Sequence, residues 1–253
     1  MANFGERMRQ AFIAPPGYVW VGADYSQLEV RTFSLVAHAD RLIQAYKDAE
    51  FDIHQWVVDL SGGVLPRRTT KILTFGGFFG QQENSAYLTT YKAYKDAGEE
   101  PPTRQAFHQF FIEHRRQFPE LPRYHRMIEE QIDRHGYVQT WFGRKLFVQT
   151  SKGHELRSAI SMPIQGTAAD IVKLAIPETL KVVVGYGGQL IGQVHDELPS
   201  YLPETLFAGY DQKEDTPKPQ VYWDIKAAME QCVSLPVPLK VDIKWGRNWY
   251  EAH

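Results

Sequence analysis

The pattern of apolar and polar positions begins with a strand. Residues 17 to 24, GYVWVGAD, are a short run of β-branched and aromatic residues bounded by Pro16, which predicts a buried strand that ends at Asp24. From Ser26 the apolar residues take helical spacing, with Leu28, Phe33, Leu35 and Val36 as core contacts, and the pattern predicts helix to about Asp48. Asp52 is placed to cap a helix over 52 to 60, Gly62-Gly63 ends it, and Pro66 opens another in its first turn. Residues 84 to 135 read as an α-rich insertion broken at Pro101-Pro102 and between Pro119 and Pro122. A hairpin turning at Phe142-Gly143 is predicted over 137 to 149, and helix around Pro163 over 154 to 183. Two short apolar runs then meet at His195-Asp196-Glu197, and a polar loop from Asp211 to Gln220 precedes a final helix and the strand LKVDIKW.

Composition narrows the class. A chain of 253 residues that is 43% hydrophobic can bury one large core, or one core with a big insertion, and 23% charged residues is ordinary for a globular protein. No apolar run approaches the about 18 residues that a membrane span needs, and the N-terminus resembles neither a secretory signal nor a transit peptide. The single cysteine, Cys232, excludes an internal disulfide framework or a thiolate zinc cluster and fits a reducing cytoplasm. A net charge of −2 carries no overall basic footprint for nucleic acid. Basic residues do gather between Arg104 and Arg144, whereas acids collect from Glu204 to Glu230.

Four segments carry candidate chemistry. In VGADYSQLEVR (21 to 31), Asp24 sits where a buried strand meets a helix, and a carboxylate there needs a partner such as a cation. Ser26 and Glu29 also match a capping box, which would only satisfy helix-end amides. In QVHDEL (193 to 198), an apolar strand runs into His195, Asp196 and Glu197. By itself this reads as an acidic hairpin tip facing water, but paired with Asp24 it suggests two strand-borne aspartates converging on divalent ions.

In PRRTTKILTFGGFFG (66 to 80), Arg67, Lys71, Phe75 and Phe79 recur every four residues. Cations near a positive helix N-terminus are either a solvated basic end or a site for an anion such as a triphosphate, with the rings beyond for sugar and base. Gly76-Gly77 favours the second reading, since two mid-helix glycines cost roughly 1 kcal/mol each and imply close backbone approach or a helix that moves. In HELRSAISMPIQGTAADIVK (154 to 173), Arg157, Ser161 and Gln165 form a second stripe, either the polar face of a kinked amphipathic helix or donors to minor-groove acceptors shared by all base pairs.

In this order the segments resemble family A DNA polymerases, the bacterial DNA polymerase I type. DYSQLEVR is similar to their motif A, RRTTKILTFGGFFG to motif B and VHDEL to motif C; PIQGTAADIVK and GRNWYEAH also resemble family stretches. The resemblance implies an α/β (α+β) right-hand fold lacking the thumb: an antiparallel palm sheet with a helical fingers insertion, divided as palm 1–39, fingers 40–135 and palm 136–253. It implies that Asp24 and Asp196 bind two Mg²⁺ ions, which Mn²⁺ can replace, with the Tyr25 carbonyl assisting and Glu197 auxiliary. Arg67 and Lys71 would hold the incoming dNTP, Lys71 as proton donor to pyrophosphate, with Gln27, Tyr25, Phe75 and Phe79 also at the nucleotide. Glu29 would exclude a ribose 2′-hydroxyl. Arg157, Ser161, Gln165 and His195 would contact primer-template DNA.

Three departures stand out: Phe79 replaces the usual tyrosine, Thr74 an asparagine before Phe75, and Ser161 an asparagine in the minor-groove stripe. The implied partners are primer-template DNA, dNTPs and a separate N-terminal polymerase half, with no membrane and a cytoplasmic location in a bacterial or phage-infected cell. The rival expectations are a non-catalytic DNA-binding or scaffolding subunit that keeps the fold, and an RNA-synthesising relative, against which Glu29 speaks.

Overall fold

The computed structural model describes residues 6–48, 51–150, 152–213 and 215–253. In chain order the elements are α1 (Glu6–Gln10), β1 (Tyr18–Tyr25), α2 (Leu28–Val36), α3 (Asp40–Ala45), α4 (Ile53–Leu60), α5 (Arg67–Phe78), α6 (Glu83–Asp96), α7 (Arg104–Gln117) and α8 (Glu120–His135). There follow β2 (Tyr137–Gln139), β3 (Lys145–Phe147), α9 (Gly153–Gly185), β4 (Gln189–Leu190), β5 (Glu197–Pro203), α10 (Gln220–Glu230) and β6 (Val241–Gly246). They group into two compact units, Met1–Leu28 with Ala168–His253, and Glu29–Thr167. The mixed helix and antiparallel-sheet class expected from the sequence is the one found. Among the described residues no helix is long and apolar enough to cross a membrane.

The first unit is built on a sheet of order β4-β5-β1-β6 in which every pairing is antiparallel. Because side chains alternate along a strand, Val21, Ala23 and Tyr25 of β1 turn to one face. There they join Leu198 and Leu202 of β5, Ile243 and Trp245 of β6, and apolar residues of α9 and α10 such as Ile171 and Ile225. Each fully buried Val, Leu or Ile among them stabilises the unit by roughly 1.5–3 kcal/mol. Trp20 turns to the opposite face, where it stacks on Trp249 with ring centroids 5.9 Å apart. A strand covered on both faces loses the alternating polar positions of a half-exposed one, which is why GYVWVGAD reads as one apolar run. Gly22 is required for this closure, since a β-carbon there would collide with the Ala252 carbonyl oxygen and lie 2.8 Å from Glu197 Oε1.

The second unit surrounds α5. Its buried face carries Thr69, Thr70, Leu73, Thr74, Gly77 and Phe78, and the Phe78 ring stacks on Phe33 at 4.5 Å. The close backbone approach anticipated from Gly76-Gly77 occurs at Gly77: a β-carbon there would stand 2.7 Å from Leu121 Cδ1, and its carbonyl accepts from His125 Nε2 at 2.8 Å. Thr74 is fully buried and its hydroxyl meets His114 Nε2 at 2.9 Å, with His114 itself 1% exposed. Burial holds the His114 imidazole neutral by pushing its pKa down to about 3. Thr74→Val keeps the shape and removes the partner, and a buried polar group left unpaired costs about 1–3 kcal/mol. Urea denaturation of Thr74→Val is expected to show a loss of that size, with Thr74→Ser recovering most of it.

Several local expectations are met and others are corrected. Asp52 caps α4 by accepting from the amides of His54 and Gln55, and the chain leaves α4 through Gly62 and Gly63 at positive φ. The hairpin β2–β3 turns through Gly143 at φ 85, and Pro163 does not end α9. The predicted single helix over 26 to 48 is two helices. His38 adopts φ 49, and the amides of His38 and Ala39 return to the carbonyls of Leu35 and Ser34, a Schellman-type end that apolar periodicity does not reveal. α2 starts at Leu28, directly after Gln27 at φ 52. Pro66 is the cap residue before α5 rather than part of its first turn.

Candidate active site

Two carboxylates meet at one end of the sheet. Asp24 is the next-to-last residue of β1 and pairs across the sheet with Glu197 on β5 and Asp242 on β6. Asp196 occupies the two-residue turn that joins Val194 to Glu197, where His195 adopts φ 56 and the Val194 and Glu197 backbones exchange hydrogen bonds at 2.9 Å. The Tyr25 amide donates to the Asp196 carbonyl at 3.3 Å, so the turn is tied to the strand that carries Asp24.

Burial and like charge dominate the electrostatics of this end of the sheet. Partial burial pushes the Asp24 carboxyl well above the usual carboxylate range, and the charges of Asp196, Glu197 and Asp242 and a hydrogen bond with Asp196 add to it. Asp196 is also raised by burial, although its own backbone, His195, Asp24 and His253 counter this. Asp24 and Asp196 are thus neighbouring acids, each raised by burial, whose charges a cation would relieve.

Glu197 is differently placed from the two aspartates. It is 3% exposed, and both its oxygens accept from Trp249 Nε1, at 3.1 and 3.0 Å, while His253 Nδ1 lies 3.7 Å from one of them. Burial raises its pKa to about 7, against the Trp249 hydrogen bond and the charge of Arg9. Tyr25 turns its ring into the core, where its hydroxyl donates to the Met229 carbonyl at 2.7 Å, so only its backbone is available at the acidic end.

In the second unit α5 presents Arg67 and Lys71 on its exposed side, with Phe75 half-buried beyond them and Phe79 just past the helix end. Arg67 Nη2 donates to Asp52 Oδ2 at 2.6 Å. His54 packs its ring against Phe75 at 5.3 Å. Its pKa falls to about 4, first through burial and then through the charges of Lys71 and Arg67, partly offset by Asp52, and its Nδ1 is buried with no hydrogen-bond partner. On α9, Arg157 and Gln165 are exposed and Ser161, half-buried, donates back to the Ser158 carbonyl at 3.1 Å. Glu29 is half-buried in the first turn of α2.

Three participants escape the sequence reading. Asp242 had a weak signal in the alternation of VDIKW, but only the register makes it a neighbour of Asp24. His54 and the Trp249 latch on Glu197 join residues from separate elements and leave no periodic trace.

Comparison with known proteins matches residues 1–251 to the sequence model described as DNA polymerase family A. The thermostable DNA polymerase I of Thermus filiformis is 31% identical over 98% of this chain, and DNA polymerase I of Pseudomonas aeruginosa 33% identical over 98%. The chain spans 29% and 27% of those two relatives. Among solved structures, the POL domain of Pol1 from M. smegmatis, in complex with DNA primer-template and dNTP, is similar at a TM-score of 0.77 and 25% identity. That match covers 98% of this chain and 43% of that one.

Proposed function

Because this chain belongs to DNA polymerase family A, we propose that it carries the nucleotidyl-transfer site of a DNA-directed DNA polymerase, extending a primer 3′ end with deoxynucleotides. The observation that carries this reading is the meeting of Asp24 and Asp196 at the end of the sheet, 172 positions apart in the chain (196 − 24) and each raised in pKa by burial. Among the described residues no cluster of three or more His, Cys, Asp or Glu has the geometry of an all-protein metal cage. Two carboxylates still fit Mg²⁺, which is typically held by one or two carboxylates plus substrate phosphates and water. The pair, with the Tyr25 carbonyl, would hold the ions, which when bound lower the pKa of the primer 3′-hydroxyl and stabilise charge on the phosphate.

The remaining roles follow from where each side chain stands. Arg67 and Lys71, on adjacent turns at the start of α5, would clamp the triphosphate, and His54, with an unpartnered ring nitrogen in their field, is added to this set. Phe75 would face the sugar, with Gln27 and Phe79 near the nucleotide and Glu29 excluding a 2′-hydroxyl. Arg157, Ser161, Gln165 and His195 would contact the primer-template. Glu197 would be auxiliary, since its carboxylate is already engaged by Trp249. Palm at 1–39 and 136–253 and fingers at 40–135 are proposed as the functional division. Tight primer-template binding would draw on the parts of the longer relatives that this chain does not span, on whichever polypeptide they reside.

Primer extension tests the reading. The chain, alone and with a candidate N-terminal polymerase half, is expected to add dNTPs opposite a defined template with Mg²⁺ and to prefer them to ribonucleotides. No incorporation by a demonstrated assembly would favour a scaffolding role, and a ribonucleotide preference would overturn the substrate.

A further inference from the structure

The ion pair at the start of α5 has an unusual division of labour. Asp52 Oδ1 is committed to the cap of α4, accepting from the amides of His54 at 2.8 Å and Gln55 at 3.1 Å. Its other oxygen, Oδ2, takes the Arg67 guanidinium at 2.6 Å. The cap anchors the carboxylate to α4, so it cannot follow Arg67 if that side chain swings towards a ligand. The Arg67 contact in turn can break without uncapping α4. Both side chains are well exposed, Arg67 56% and Asp52 36%, and partly solvated pairs of this kind are weak.

We propose that Asp52 is an intramolecular counter-anion that occupies Arg67 until the triphosphate of an incoming nucleotide displaces it, and so sets nucleotide affinity. The inference rests on the reading of this face of α5 as the triphosphate site. A phosphate group presents more negative charge than one carboxylate and accepts two guanidinium hydrogen bonds at once, so it wins the exchange. Lys71, one turn further on and exposed, rewards only a ligand long enough to reach it. The exchange therefore penalises ligands that engage Arg67 and leaves a nucleotide too short to reach it unaffected.

The full chain would be titrated with mant-dATP and with mant-dAMP in Mg²⁺, followed by fluorescence anisotropy, as wild type, Asp52→Asn, Asp52→Ser and Arg67→Ala. Asn and Ser both cap helices well, so both Asp52 variants keep α4, which thermal melts verify. Both are expected to bind mant-dATP about two- to fivefold more tightly, the scale of an exposed ion pair, with mant-dAMP unchanged. In the Arg67→Ala background, Asp52→Asn is expected to have no further effect. Unchanged or weaker mant-dATP binding in both Asp52 variants, with the Arg67→Ala loss still present, would make Asp52 a positioning residue for Arg67 and overturn the proposal alone. If Arg67→Ala binds mant-dATP as wild type does, the triphosphate-site reading fails and the exchange with it.

Discussion

Asp196→Ala is expected to reduce primer extension by about 10³-fold or more while leaving the fold intact, because a metal-binding carboxylate supplies several kcal/mol of transition-state stabilisation. Stability should hold or rise, since Asp196 adds to the electrostatic penalty on Asp24. The pH dependence has a definite sign. The folded-state pKa of Asp24 is raised above its unfolded value, so the folded chain binds more protons than the unfolded one, and stability falls as pH rises through the raised value. Mg²⁺ competes with those protons, so the Mg²⁺-induced rise in Tm should be larger at about pH 8 than at about pH 5 and should shrink in Asp196→Ala. Thermal melts across a Mg²⁺ titration, beside the extension assay, check both halves. Unchanged incorporation by Asp196→Ala would remove Asp196 from the chemistry.

Trp249→Ala should produce the largest loss of stability. Trp249 is 3% exposed, stacks on Trp20, and meets the Phe12 ring edge-on at 5.7 Å. Truncating a buried aromatic of this kind costs about 3–5 kcal/mol. Trp249→Phe separates packing from hydrogen bonding, because it keeps much of the ring and removes the N–H that both Glu197 oxygens share, at about 1–3 kcal/mol. The indole N–H favours the carboxylate form, lowering a Glu197 pKa that burial raises to about 7. Losing it therefore harms the ionised residue most, and the Trp249→Phe deficit should be greater at about pH 8 than at about pH 5. Chemical denaturation at both values decides it, and a deficit that ignores pH would mean that Trp249 acts through packing alone. The Phe variant should also lower incorporation modestly, since Glu197 follows Asp196 directly and its displacement disturbs the turn.

The acidic end of the sheet shows how far sequence reasoning reaches. That β1 would be a buried strand delivering Asp24 was legible because it is a local event, an apolar run that stops at an acid; the strand expected to lead into His195 is only Gln189–Leu190, and Asp196 stands in the turn before β5. The cap of α4 by Asp52 and the stripe of Arg67, Lys71 and Phe75 were legible for the same reason, as spacing on one helix specifies one face. The orientation of Glu197 was not. Its neighbours in the chain mark it as part of an acidic triplet, whereas its partner Trp249 lies 52 residues away.

Local pattern therefore determined most of the elements, the strand-end Asp24 and the cationic helix face, because hydrogen bonds within a helix and alternation along a strand depend on residues a few positions apart. Tertiary structure alone decided which acid meets which. It set Asp242 beside Asp24, bound Glu197 to Trp249, joined Thr74 to His114 and gave Arg67 to Asp52. Those pairings depend on strand register and on helices brought together by burying their apolar faces, and neither periodicity nor composition encodes a distance between residues far apart in the chain.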